Sequence, residues 1–373
     1  MSLPPPLSTK ERWRQYVDQP PRTRPGPLTL AQIRALGQEA RDEYDEARHD
    51  WHPNLPIIRT PQLAVLHDAI DEIVQSNRHD AGRIRGVAAI DALPGLGKTT
   101  IANTYGRALD RAEIRRRGPQ TDTGHERVPV FCVGLTANTT LKTLNERICR
   151  FYGHPAAESP RHGTSADRLA AFALDAVLAC ETKLGIIDDI HFINPRRKDG
   201  LDVTNHLKYL NSEFPVTFLY AGVQLSEKGF FAEGNSGAQA AYAQTGRRWT
   251  RLEVTAFEIA TYEGRRDWIS LLKATEQQVV LARARPGMLT GIADYLFERS
   301  TGHIGSFFSL INRGCYRAIR TGEEEITRNL LDGVRIDEAS EDARRELAAA
   351  IAAGRLTTRP SARPRPGRTA EVG

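Results

Sequence analysis

The sequence predicts an α/β domain, a parallel sheet flanked by helices, followed by a small all-α unit. Three features carry this expectation. Short apolar runs bounded by turn residues alternate with helical stretches between residues 86 and 254. A glycine-rich turn ending in Gly97-Lys98-Thr99 joins the first of these runs to a helical stretch. Beyond residue 254 the apolar runs cease, while helical patterns continue to about residue 333. A chain of 373 residues has room for one large domain, a smaller one and extensions, without staples. Its 40% hydrophobic and 26% charged residues are ordinary for a globular protein. No run approaches the roughly 18 apolar residues of a membrane span, which excludes membrane insertion. The N-terminus has no apolar core of a secretory signal, so a cytoplasmic location is expected. Cys132, Cys149, Cys180 and Cys315 form no C-x-x-C pair and read as reduced, mostly buried thiols. The formal charge of +5 is compatible with a polyanionic partner without requiring one.

In chain order, residues 1–41 are expected to form an N-terminal arm, partly disordered, because "PPP" and "QPPRTRPGP" resist packing. Within it, "KERWRQYV" suits one short docking helix. Residues 30–49 have helical composition, and Thr60-Pro61 starts a helix that leads into the core. The α/β domain is expected over residues 42–256, with strands at "GVAAID" (86–91), "VPVFCVGL" (128–135), "KLGIIDD" (183–189), "VTFLYAGV" (216–223) and "RLEV" (251–254). A helix is predicted over residues 99–109. Another starts at a capping box of Thr164 and Asp167, with Leu169, Phe172, Ala173, Ala176, Val177 and Cys180 recurring on its core face. Residues 257–335 form the all-α unit. Residues 336–373 are a helix and a flexible basic tail, since "GRLTTRPSARPRPGRTAEVG" holds five arginines, three prolines and one glutamate.

The turn "ALPGLGKTT" (92–100) departs from the P-loop pattern only at Ala92, which stands where the first glycine belongs. A small side chain suffices at a strand exit, and alanine is the least costly replacement. Pro94, Gly95, Leu96, Gly97, Lys98, Thr99 and Thr100 are the expected nucleotide-binding residues. The glycines let backbone N–H groups approach phosphate, Lys98 reaches the β- and γ-phosphates of ATP, and Thr99 holds Mg²⁺. A second apolar run ends in Asp188 and Asp189, the Walker B arrangement. Asp188 is expected to hold Mg²⁺ and Asp189 to orient the attacking water. The alternative is a pair of acids closing a strand in a turn. His191 reads as a γ-phosphate sensor, a subunit contact, or simply a packed or solvated side chain.

The order "YDEARHDWHPNLPIIRTPQL", "ALPGLGKTT", "LGIIDDIHFIN", "FLYAGV", "GRRWTRLEV" and "STGHIGSFFSLINRGCYRAIRTGEEEIT" resembles the TniB branch of the AAA+ ATPases, relatives of TnsC and MuB. The Walker pair is shared by a great many P-loop proteins. The W-x-P…I-x-T-P lead-in and the TG-x-IG…A-I-x-x-G…IT pattern narrow the choice, and the match runs from about residue 42 to 333. The resemblance implies an AAA+ domain with a helical lid that binds ATP and Mg²⁺. It implies an ATP-dependent homo-oligomer, ring or helical filament, that coats duplex DNA and recruits a DDE transposase, with a TniQ-like targeting protein as a further partner. It also implies that Val223 and Gln224 sit at the γ-phosphate sensor. Arg248, with Arg247 as the second choice, occupies the place of the arginine finger. The loop after the second strand, with Asn138, Thr139, Thr140 and Lys142, faces DNA phosphates, and the basic runs 115–117 and 196–198 are further candidates. Many relatives carry glutamate where Asp189 stands. Aspartate is one methylene shorter, so slow, DNA-stimulated hydrolysis is expected. The lid reads Ser306-Phe307-Phe308 where many AAA+ proteins place an arginine, which puts a lid sensor in doubt. A P-loop signalling or defence switch, and a nucleotide-gated scaffold with little ATP turnover, are the rival readings.

Overall fold

The computed structural model describes residues 7–78, 85–137, 139–158, 164–193, 206, 207, 209–231 and 249–359. It divides into two compact units, one of Met1–Pro20 with Gln62–Thr255, the other of Pro21–Pro61 with Ala256–Gly373. The N-terminal segment read from sequence as one arm is thus shared between the two.

The first unit is built on five parallel strands, β1 (Val87–Ala92), β2 (Val130–Gly134), β3 (Leu184–Asp188), β4 (Thr217–Val223) and β5 (Trp249–Val254). Their order is β2-β3-β4-β1-β5, and every neighbouring pair is parallel. All residues of β1 and β3 are buried. That is why these runs are apolar without alternation: a parallel sheet covered on both faces has no solvent side. Register brings the strand exits level. Ala92 pairs with Val223 on one side and Val254 on the other, and Gly134 pairs with Asp188.

Helix α1 (Lys10–Asp18) belongs to this unit. Its Trp13 and Val17 are fully buried, and Trp13 Nε1 donates to Asp110 Oδ2 at 2.9 Å, so the expected docking helix is anchored by an aromatic payload with a polar handle. In the second unit lie α2 (Leu30–Ala35) and α3 (Gln38–Trp51). The stretch of helical composition over 30–49 forms two helices, because Leu36 turns extended and Gly37 serves as the N-cap of α3. Helix α4 (Pro61–Ser76) leads toward β1, and α5 (Lys98–Arg117) follows it, running past the expected end at Leu109. After β2 come α6 (Leu141–Phe151), the short α7 (Pro155–Glu158) and α8 (Ala166–Ala179). The N-cap of α8 is Ser165, whose hydroxyl accepts from Arg168 N, and not the expected Thr164–Asp167 box. The cap moves by one residue because the burial of Leu169, Ala173 and Val177 fixes the helix phase, and the hydroxyl that then reaches N3 is serine's.

The second unit is helical: α9 (Tyr262–Glu276), α10 (Ala293–Ser300), α11 (Ile304–Thr321), α12 (Arg328–Asp332) and α13 (Glu338–Ala352). Trp268, Leu272, Leu296, Phe307 and Ile311 are central to its core. The end of α3 is locked into this unit. Buried Arg48 forks onto Glu324, Trp51 Nε1 donates to Gln278 O at 2.7 Å, and Val280 N donates to His52 Nε2 at 3.1 Å. From residue 360 the expected basic tail lies outside the described residues. No described helix is long and apolar enough to cross a membrane. The four cysteines are free, and burial pushes the Cys149 thiol up to about 11 and Cys132 up to about 12, which leaves both unreactive.

Candidate nucleotide site

Where β1 ends, buried Ala92 still pairs within the sheet, so the position read as the missing glycine is an ordinary strand residue. The turn that follows needs its glycines for conformation. Gly95 has φ +77° and Gly97 φ +82°, the left-handed region, although a Cβ at either would meet nothing within 4 Å. Leu96 between them is buried and pins the turn to the unit. With Gly97 as N-cap, no side chain caps α5. The first-turn N–H groups of Lys98, Thr99 and Thr100 therefore converge where an anion would sit, at the positive end of a 20-residue helix.

The end of β3 meets this helix. Thr99 Oγ1 donates to Asp188 Oδ2 at 2.6 Å, across 89 residues of sequence. Asp188 Oδ1 accepts from Asp189 N at 2.8 Å. Burial pushes the Asp188 carboxyl above its usual pKa, and the neighbouring Asp189 charge adds to this, while the Thr99 hydroxyl and Lys98 pull the other way. Paired hydroxyl and carboxylate oxygens fit Mg²⁺, a hard cation held by one or two protein oxygens with substrate phosphates and water. Among the described residues, no cluster of three His, Cys, Asp or Glu side chains stands ready to hold a metal by itself.

Asp189 has a different environment from its neighbour. Its side chain is 39% exposed and lies 3.8 Å from Lys98 Nζ. Its backbone is left-handed, φ +58°, where the chain leaves β3 for a short 3₁₀ turn. His191 stacks on Phe192 at 4.4 Å, with its Nδ1 3.7 Å from Asp189 Oδ1. Burial lowers its pKa, so the ring is neutral near pH 7.

The exit of β4 packs tightly against this turn: a Cβ on Gly222 would come within 2.9 Å of Ile190 Cγ2. The next residue but one, Gln224, has φ +52°, and its amide donates to Glu227 Oε2 at 2.9 Å. No hydrogen bond joins it to Lys98, Asp188 or Asp189. What fixes this turn is a residue the sequence reading missed. Asp91, buried in β1, accepts from Leu225 N at 2.8 Å, Ser226 N at 3.2 Å and Arg251 Nε at 2.9 Å. One carboxylate thus ties together β1, the exit of β4 and β5. An acid inside an otherwise apolar strand, directly before the glycine-rich turn, was the available signal.

Other expected site residues fall elsewhere. Arg247 and Arg248 lie outside the described residues, as do Asn138 and the run 196–198. The residue after them, Trp249, is buried and stacks on Tyr220 at 4.6 Å. In the loop after β2, Thr139 Oγ1 accepts from Thr136 N at 2.9 Å, and Thr140 caps α6 by accepting from Thr143 N. Both hydroxyls serve the local fold. Lys142 is partly exposed, 4.0 Å from Glu146 Oε1. Arg147, not singled out by sequence, braces the same loop through Gly134 O and Thr136 Oγ1.

Residues 82–228 match the family model of the AAA domain. No curated protein matches the chain. Among solved structures, the ORC1 protein of Aeropyrum pernix in complex with DNA is 17% identical with a TM-score of 0.53, covering 80% of this chain and 69% of that one. The ORC2 protein of the same organism, solved as ADPNP-ADP complexes, is 15% identical with a TM-score of 0.49, covering 85% and 70%. Cdc6p from Pyrobaculum aerophilum is 14% identical with a TM-score of 0.49, covering 80% and 83%. The sheet order, the glycine-rich turn against the Thr99–Asp188 pair, and the family match converge: this chain carries an AAA domain in a P-loop AAA+ fold, with a helical C-terminal region.

Proposed function

We propose that the protein is an ATP-dependent, DNA-binding AAA+ regulator of DNA transposition, which oligomerises on duplex target DNA and recruits or activates a DDE transposase, with a TniQ-like protein as a further partner. The observation that carries the nucleotide part is the 2.6 Å bond from Thr99 to Asp188 beneath the uncapped start of α5. The regulatory part rests on the TniB-like motif order across residues 42–333, which the AAA fold supports without narrowing.

In this reading the backbone from Pro94 to Thr100 cradles the phosphates, and Lys98 is drawn from Asp189 onto the β- and γ-phosphates. Thr99 and Asp188 hold Mg²⁺, which when bound neutralises charge developing on the transferred phosphoryl group. Asp189, partly exposed beside Lys98, orients the attacking water. Gln224 acts as the γ-phosphate sensor only after its amide leaves Glu227, so sensing is coupled to a local rotation. Arg248 of one subunit completes the neighbour's site. Lys142 supplies the cationic contact to duplex phosphates, on a loop whose threonines set its shape.

The test is ATP turnover and nucleotide affinity with and without mixed-sequence duplex. Wild-type protein should hydrolyse ATP faster with DNA, and Lys98→Ala should lose ATP binding. Unchanged nucleotide affinity in Lys98→Ala would overturn the P-loop assignment. Turnover indifferent to duplex would favour a switch that does not act on DNA.

A further inference from the structure

The parallel strands have a second end. Where they begin, a cavity of about 320 Å³ opens beside α4, α5 and the residues leading into β1, β3 and β4. Five cations line it: Arg78 after α4, Arg85 before β1, Arg116 and Arg117 in the last turn of α5, and Lys183 before β3. Among the described lining residues Glu113 is the one acid, and Glu181 lies beside Arg117 just outside the lining. Arg116 is paired with Glu113, and Arg117 lies 3.1 Å from Glu181. Their position at a helix C-terminus also complements the helix dipole. That accounts for two cations of the five. Arg78, Arg85 and Lys183 form no ion pair with any described acid. Burial, and then the charge of Arg117, hold the Lys183 ammonium below its usual pKa, while Glu113 and Glu181 pull the other way.

The walls are fixed before any ligand arrives. Asn77 donates to Gly86 O at 2.7 Å and to Thr217 Oγ1 at 3.0 Å, and accepts from Gly86 N at 2.7 Å. This clamps the end of α4 to the starts of β1 and β4. Val74, Leu109 and Pro215 give the recess an apolar side. Its volume falls in the range that holds small molecules, roughly 300–1,000 Å³. Guanidinium groups suit phosphate by their planar, bidentate donor geometry. A duplex presents phosphates on convex ridges, whereas these cations converge on a concavity, which suits a compact anion.

We infer that this cavity binds a small polyphosphate anion, in a second phosphate site remote from the P-loop. Helix α5 runs from Lys98 to Arg117, about 30 Å at the standard rise, and so reaches from one site to the other. The inference does not depend on the nucleotide reading, because none of the residues that carry it belongs to the P-loop or to Walker B.

The test is calorimetric titration of inorganic tripolyphosphate into full-length Lys98→Ala protein at physiological salt, which removes the lysine of the P-loop. One saturable site is expected. Adding Arg85→Gln and Lys183→Met should weaken it by about ten-fold or more, with the melting temperature kept as a check on folding. Arg78→Gln alone, a milder change after the end of α4, should weaken it in the same direction. Absence of binding, or equal affinity in the substituted proteins, would overturn the assignment. If a short duplex displaces tripolyphosphate and loses affinity through the same substitutions, the cavity edge follows a DNA backbone and the small-anion assignment fails.

Discussion

Two adjacent aspartates have been given separate environments, and their chemistry should separate accordingly. Asp188 is buried and hydrogen-bonded to Thr99, whereas Asp189 is left-handed and more exposed. Aspartate and asparagine tolerate that backbone better than glutamate does, which supplies a reason for the shorter acid. Asp189→Asn should therefore fold and bind ATP while turnover falls by about 10²-fold or more, the usual loss when a general base is removed. Asp188→Asn should weaken Mg²⁺-dependent nucleotide binding. Nucleotide titration beside a turnover assay checks both, and equal loss of binding in the two variants would argue against separate roles. Asp91 offers a second residue-level test. Asp91→Ala strands two backbone N–H groups and Arg251, so unfolding in urea should come about 2–4 kcal/mol earlier, and turnover should drop because the Gln224 turn loses its anchor. Unchanged turnover in a folded Asp91→Ala protein would remove Asp91 from the positioning machinery. Lys98 with Thr99, and Asp188 with Asp189, could be singled out in sequence because each pair sits within a short motif, while the fold adds the meeting of Thr99 with Asp188 across 89 residues. Asp91 and Arg251 were not, since the bond between them spans 160 residues and only the sheet order brings β1 beside β5.

At the scale of elements, β1 to β4 were readable because a covered parallel sheet writes itself as short apolar runs, whereas β5, at the sheet edge with Thr250, Arg251 and Glu253 exposed, showed only the short run Arg251–Val254. Boundaries were less readable. The cap of α8 shifted by one residue, and Gly37 divided a stretch whose composition was helical throughout, because composition carries no phase. The role of α3 was invisible in sequence: its end is defined by partners more than two hundred residues away, Gln278, Val280 and Glu324. That junction makes a pH prediction. Burial, and then the charge of Arg48, lower the His52 pKa to about 4 from an ordinary 6.5. Its Nε2 must stay unprotonated to accept from Val280 N. The unfolded chain therefore binds a proton that the folded one refuses between pH 6.5 and 4. Stability is complete above that window and falls as pH drops through it, by about 3 kcal/mol in total. Thermal unfolding followed from pH 7 to 4 should show the decline, and His52→Asn should flatten it. An identical pH profile in that variant would move the acid sensitivity elsewhere.

For the whole molecule, the sequence and the fold support different parts of one account. The AAA fold supports the proposed nucleotide site, and the motif order supports the proposal that nucleotide gates assembly on duplex DNA. If Arg248 completes a neighbouring site only when ATP is present, the Lys142 loops of successive subunits align, and many weak phosphate contacts add by multivalency. Arg248→Ala should then keep ATP binding by the monomer and lose cooperative assembly, while Lys142→Ala weakens DNA association with nucleotide binding intact. The most direct measurement is the fluorescence anisotropy of a labelled, mixed-sequence duplex titrated with the full chain, with and without Mg²⁺ and a slowly hydrolysed ATP analogue, at several salt concentrations. A steep, sigmoidal isotherm that requires the analogue and weakens as salt rises is expected. Tight, salt-resistant binding by nucleotide-free monomer would contradict it.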